Sequence, residues 1–177
     1  MDGIGNAGTA AQTISTLVGR VVELGARFAN SRGVYLGRRS TRLHVALYRR
    51  FGGRVGGHLP GWPNARILLL DHVGAKSGVR RTSPVVYCQD GDSIVVVASK
   101  AGQSTNPAWF HNLLAHPETT IQIGSQTRRV IARMASSSER DALWPKCLTA
   151  YPGYEFFQRL AYPRVIPIMV LEPIMKA

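Results

Sequence analysis

The chain has 177 residues and 45% hydrophobic side chains, enough for one domain with a packed core and too apolar for a disordered chain. It carries 22 Lys and Arg against 10 Asp and Glu, a net charge of +12. The excess is concentrated early, because residues 1–60 hold nine arginines against only Asp2 and Glu23. Such a balance calls for an anionic partner: a nucleic acid, an anionic membrane or a polyanionic ligand. The apolar runs are too short and too interrupted for a membrane-spanning helix, and no signal-peptide pattern opens the chain.

In chain order, an amphipathic helix is predicted over Thr13 to Ala29, with Ile14, Leu17, Val18, Val21 and Phe28 at helical spacing. A second is predicted over Arg39 to Phe51, on Leu43, Leu47 and Phe51 four apart among arginines. The glycine- and proline-rich GGRVGGHLPGWP then breaks the pattern, so residues 1–55 read as a basic helical arm and 60–177 as the main fold. There, ARILLLDHV, TSPVVYC, SIVVVAS, TTIQIGS, TRRVIARMA and VIPIMVLEP read as strands, with hairpin turns at QDGD and GSQ that require antiparallel pairing. One helix is expected to open at the Asn106-Pro107 cap. Another opens at the capping box Ser136 to Glu139 and runs through LWPKCLTAYPGYEFF. The pattern is α+β: a small antiparallel β-barrel with helices packed around it. Cys88 and Cys147 read as buried free thiols in a reducing compartment.

Three stretches carry chemistry. GAKSGVRRTSP places Lys76, Arg80 and Arg81 beside the backbone amides of Gly74 and Gly78. This is either an anion-binding turn or the solvated tip of a basic hairpin. Ser99, Lys100 and Gly102 end the next strand but one, just before a helix N-terminus, which makes a second anion-favouring position. In YPGYEFF, Tyr151, Tyr154 and Phe157 are three apart, either core or the wall of a pocket. The histidines show no HExxH or paired ligand spacing, the cysteines add none, and the carboxylates do not cluster. No metal is therefore expected, and the chemistry is assigned to an organic cofactor that the protein holds.

GAKSGVRRTSP, DGDSIVVVASKAG, NPAWFHNLLAHPE and YPGYEFFQR…IPIMVLEP, in this order, resemble the deazaflavin-dependent nitroreductase and quinone reductase family of actinobacteria. The resemblance covers residues 60–175 or so. It implies a split β-barrel related to flavin reductases and pyridoxamine phosphate oxidases, and hydride transfer from reduced 8-hydroxy-5-deazaflavin (coenzyme F-420) to quinones, nitro compounds or other conjugated acceptors. It further implies that Lys76, Ser77, Arg81 and Lys100, with Arg80 as a substitute cation, hold the phosphate and oligoglutamate tail. Gly102 falls in the same motif. Ser99 lies near the reacting ring and the acceptor, Trp109 and Asn112 back the coenzyme site, and Tyr151 and Tyr154 line the acceptor pocket. Ala75 stands where the family commonly has arginine, and Phe157 where it often has tyrosine. The expected setting is cytoplasmic, with peripheral contact to the inner face of an anionic membrane and no nucleic acid. The alternatives are a flavin mononucleotide enzyme of the same barrel type and a non-catalytic coenzyme-, membrane- or nucleic-acid-binding protein.

Overall fold

The computed structural model describes residues 38–174, and each structural statement below concerns those residues. The chain divides into two compact units, Met1–Tyr35 and Leu36–Ala177. The helix predicted over residues 13–29 lies outside the described residues.

Helix α1 (Arg38–Arg50) is followed by a short strand β1 (His58–Leu59) and then by β2 (Trp62–Val73), β3 (Arg80–Asp90) and β4 (Ser93–Val97). Helix α2 (Ala108–Ala115) leads to β5 (Glu118–Ile123) and β6 (Gln126–Met134). Helices α3 (Ser137–Ala150) and α4 (Gly153–Ala161) precede β7 (Ile168–Pro173). Every pairing is antiparallel, in the order β1-β2-β3-β4-β7-β6-β5, and β5 also pairs with β2 through Leu69↔Gln122 and Leu70↔Ile121. That last pairing closes β2 to β7 into a six-stranded barrel. The hairpin turns stand where the sequence puts them: Asp90 pairs with Ser93 around Gly91 (φ 57°), and Ile123 with Gln126 around Gly124 (φ 61°).

The unbroken apolar runs of β2, β4 and β7 follow from burial on both faces. Leu68, Leu70, Ile94, Val96, Met169 and Leu171 fill the barrel interior with Trp109, Phe110 and Leu113 of α2. Their neighbours Val95, Val97, Ile168 and Val170 point outward into a second apolar layer with Leu143 and Cys147 of α3 and Tyr154 of α4. Each such side chain contributes about 1.5–3 kcal/mol by leaving water, and a one-residue slip would exchange the two layers. By contrast β6 alternates, with Val130 and Ala132 inward and Arg129 and Arg133 outward.

The structure refines three local readings. The Leu43–Leu47–Phe51 stripe that reveals α1 is its exposed side, at 61%, 38% and 48% exposure. The helix is anchored instead by Val45 and Tyr48, which pack on Ile67 and Leu69. The buried Tyr48 hydroxyl donates to Ile67 O at 2.9 Å and accepts from Gly124 N–H at 2.9 Å, so its polar tip is satisfied as its ring packs. Second, the segment read as one long helix is two. Proline disfavours helical backbone in the residue before it, and Tyr151, ahead of Pro152, is extended at φ −148° and ψ 98°. Third, the stretch read as a break contains β1, which turns at Pro60-Gly61 and pairs with the start of β2. The capping box forms as expected: Ser136 Oγ accepts from Glu139 N–H, and Glu139 Oε2 accepts from Ser136 N–H.

Candidate active site

The basic loop joins β2 to β3. Its turn closes on itself, Gly74 N–H donating to Val79 O at 2.9 Å and Gly78 N–H to Gly74 O at 2.8 Å. Gly78 is required by its φ of +63°, whereas a Cβ on Gly74 would lie 2.4 Å from Ser77 Oγ and make that hydroxyl turn away from the loop. The two amides expected to face an anion are therefore engaged inside the turn, and anion binding falls to the side chains. Ser77 Oγ accepts from Val79 N–H at 3.4 Å, while Lys76, Arg80 and Arg81 are exposed around it. Among the described residues no carboxylate lies within ion-pair reach of these three cations or of Lys100, whereas Arg49, Arg129, Arg140 and Lys146 each have one and Arg133 has two.

One strut fixes this loop from below. Asn112 of α2, buried, accepts from Ala75 N–H through Oδ1 at 2.9 Å and donates through Nδ2 to His72 Nδ1 at 2.8 Å. His72 is thereby left with its proton on Nε2, which donates to Ser83 Oγ at 3.0 Å. Burial foremost, with the Arg81 guanidinium second, pushes the imidazole down to about 4 and keeps it neutral, as the tautomer requires. Asn112 thus supports the loop from behind. Trp109, from the same helix, packs in the barrel interior.

The second basic loop, Ala98 to Asn106, is held differently. Lys100 and Ala101 adopt positive φ (50° and 52°), and Lys100 Nζ donates to Thr105 Oγ1 at 2.7 Å. Gly102 is buried with its N–H on Ser99 O, and a Cβ there would strike Leu160 at 2.7 Å, so its place in the motif is explained by packing against α4. Ser99 and Lys100 are half-buried. The loop's shape comes from Arg164, between α4 and β7. All five guanidinium N–H donors are engaged: Nε and Nη2 on Gln103 O, Nη2 also on Ser99 O, and Nη1 on Ala98 O and Asn106 Oδ1. Asn106 therefore does not cap α2; Pro107 stands at the cap position and makes no side-chain bond. Arg164 was missed because nothing in PRVIP marks it, its partners lying about sixty residues upstream.

The aromatic residues do meet. Tyr151 packs edge-on against Tyr154 at 5.2 Å and against Trp62 at 5.5 Å, with Phe157 at 5.9 Å. Gly153 makes room, since a Cβ there would lie 2.4 Å from the Tyr151 ring. Tyr154 is 5% exposed, its hydroxyl reaches Val86 O at only 3.5 Å, and burial above all holds its pKa well above the usual phenol value. It is a core residue behind the wall, and Tyr151, half-buried, is the face in front. Trp62 is the member the sequence reading overlooked. It borders a shallow pocket of about 500 Å³ with His58, Leu59, Pro60, Gly61 and Pro63.

The family model described as F420H(2)-dependent quinone reductase matches residues 40–173. The chain belongs to that family. An F420H(2)-dependent quinone reductase of Mycobacterium tuberculosis is 36% identical over 143 residues, covering 77% of this chain and 92% of the relative. A second M. tuberculosis protein of similar description is 44% identical over 106 residues, covering 60% and 88%. Among solved structures, an F420-H2 dependent reductase (FDR-A) superposes with a TM-score of 0.56 at 33% identity, over 60% of this chain and 93% of that one. A heme storage protein of Vibrio cholerae, HutZ, matches with a TM-score of 0.50 at 14% identity over 77% and 92%, a likeness of fold alone. The first loop carries cations with no carboxylate partner among the described residues, the donor type that an anionic group would use. Among the described residues no group of His, Cys, Asp or Glu could hold a metal ion, and no helix is long and apolar enough to cross a membrane.

Proposed function

We propose that this reductase transfers a hydride from reduced coenzyme F-420 to a quinone, with the coenzyme tail on the two basic loops and the acceptor against Tyr151. The unpaired cluster of Lys76, Arg80 and Arg81, on a turn that Asn112 holds from behind, carries the reading. The deazaflavin supplies the hydride, and the chain's own work is positional. Lys76, Arg80 and Arg81 neutralise phosphate and carboxylates, Lys100 adds a cation from the second loop, and Ser99 offers a hydroxyl at the end of β4. Tyr151 and Trp62 present an apolar, edge-on surface suited to a flat conjugated acceptor. Because orientation of donor and acceptor supplies a substantial part of such a rate enhancement, small displacements of either loop are costly. Fluorescence titration with F-420 and with flavin mononucleotide tests it. The reading requires F-420 to bind at least about tenfold more tightly, a difference of about 1.4 kcal/mol. Equal affinities favour the flavin alternative.

Nitro compounds are a second acceptor class on this reading, since the same surface accepts any flat electron-poor ring. Attachment to an anionic membrane is supported by α1 and its extension. Leu43, Leu47, Phe51 and Val55 are exposed among Arg39, Arg42, Arg50 and Arg54, an apolar stripe with a basic surround. Co-sedimentation of the full chain with anionic vesicles, weakened by salt and by Leu43→Ser with Leu47→Ser, is the expected result. Equal sedimentation with neutral vesicles excludes it.

A further inference from the structure

Cys88 on β3 and Cys147 on α3 are the chain's two cysteines, and their sulfurs lie 3.4 Å apart. Neither has a task in hydride transfer. Cys147 is buried at 1% exposure, whereas Cys88 is partly open to solvent. The two thiols share a hydrogen bond in which either sulfur can donate, and that contact lowers the Cys88 pKa against the opposing effects of burial and the Asp90 carboxylate. The same bond, with burial, raises Cys147. Lys146, paired with Asp90, adds a cation beside Cys88. An accessible, acidified thiol backed by a buried second one within reach is the arrangement that reversible thiol oxidation needs. A disulfide bond is about 2.0 Å long, so the sulfurs have about 1.4 Å to close.

We propose that Cys88 and Cys147 form an oxidation site at which hydroperoxides generate an intramolecular disulfide. The Cys88 thiolate attacks the peroxide. A sulfur–oxygen bond forms, the oxygen–oxygen bond breaks, and the leaving hydroxide takes a proton to become water. The Cys147 sulfur then attacks the resulting sulfenic acid, forming the sulfur–sulfur bond and releasing a second water with the Cys147 proton. Two thiols and one hydrogen peroxide give one disulfide and two waters. The link ties α3 to β3 within the apolar layer that holds Tyr154 and on which Tyr151 packs. On the acceptor-wall reading of Tyr151, oxidation changes quinone KM and leaves coenzyme affinity unaltered.

Reduced full-length protein, freed of reductant and exposed to a small excess of hydrogen peroxide, provides the test. Alkylation in denaturant and intact mass should show both thiols consumed, a loss of two hydrogens in a monomer, a peptide linking the two positions, and full reversal by dithiothreitol. In Cys147→Ser, dimedone should trap a sulfenic acid on Cys88; in Cys88→Ser, the remaining thiol should react at least about tenfold more slowly. Two free thiols surviving peroxide that oxidises a small free thiol, cross-linked dimers, or independent overoxidation of both sulfurs would overturn the site. The wild-type thiol count decides this even if a variant misfolds. A disulfide that forms without altering quinone KM overturns only the link to the acceptor wall.

Discussion

The two basic loops place similar cations at neighbouring strand ends but are built in opposite ways. The loop between β2 and β3 closes through its own glycines and needs one strut, Asn112. The loop after β4 has positive φ at two non-glycine residues and is held by a single arginine about sixty residues away. One loop is local and resilient, whereas the other depends on a remote contact. Removing the remote contact should therefore do more damage to the fold than removing any cation proposed to meet the coenzyme.

Arg164→Ala should break the comparison most visibly. It leaves the Ala98, Ser99 and Gln103 carbonyls and the Asn106 amide without their charged donor. A stability loss of about 3 kcal/mol or more in urea unfolding is expected, with weaker F-420 binding. Arg164→Lys should rescue little, because a lysine cannot reproduce the five-donor fork. Next in size, Arg81→Ala and Lys100→Ala should each weaken F-420 binding about ten- to a hundredfold, or about 1.4–2.7 kcal/mol. Their urea midpoints should stay near wild type, because neither cation supports the fold through an ion pair. Asn112→Ala should cost about 1–3 kcal/mol of stability by stranding Ala75 N–H and His72 Nδ1, and should weaken coenzyme binding with quinone KM unchanged.

A pH experiment sharpens the same contrast. The folded His72 stays neutral down to about 4, whereas the unfolded chain takes up the proton near the usual 6.5. Its contribution is full above about 6.5 and is lost as pH falls toward 4, where the folded ring also protonates. Urea midpoints measured across that window should fall more for wild type than for His72→Gln. The smallest effect belongs to Tyr154→Phe, within about 0.5 kcal/mol of stability, because the hydroxyl's 3.5 Å approach to Val86 O is barely a hydrogen bond. Quinone turnover should respond more to Tyr151→Ala than to this change.

The strands, both hairpin turns and the Ser136–Glu139 capping box were legible because each depends on residues close in sequence. The placing of Lys76, Arg80 and Arg81 on one exposed loop, and of Lys100 just after β4, was legible for the same reason. The barrel itself was expected, but the register of its closing seam was not legible, since the Leu69↔Gln122 pairing leaves no local mark on either strand. Burial of Tyr154 behind Tyr151 escaped a spacing argument that placed both on one helix, because Pro152 separates them. The buried side of α1 was hidden by a conspicuous leucine stripe on the other side, while Tyr48 looked like an ordinary member of an arginine-rich helix. Arg164 and Trp62 act through partners far along the chain, the information that spacing does not hold.

The Tyr48 clasp also bears on how the barrel opens and forms. Its hydroxyl bridges Ile67 on β2 and Gly124 in the β5–β6 turn, beside the short seam where those strands close the sheet. That seam joins residues about fifty apart, so the loop-closure entropy it opposes must be met before the contact rewards it, and it belongs late in folding. In native-state hydrogen exchange the seam amides should therefore form one cooperative opening unit with α1, exchanging earlier than those of β4 and β7, whose strands are buried on both faces. An opened seam exposes two unpaired strand edges at once, so a single phenolic hydroxyl helps to guard the chain against pairing with its own copies.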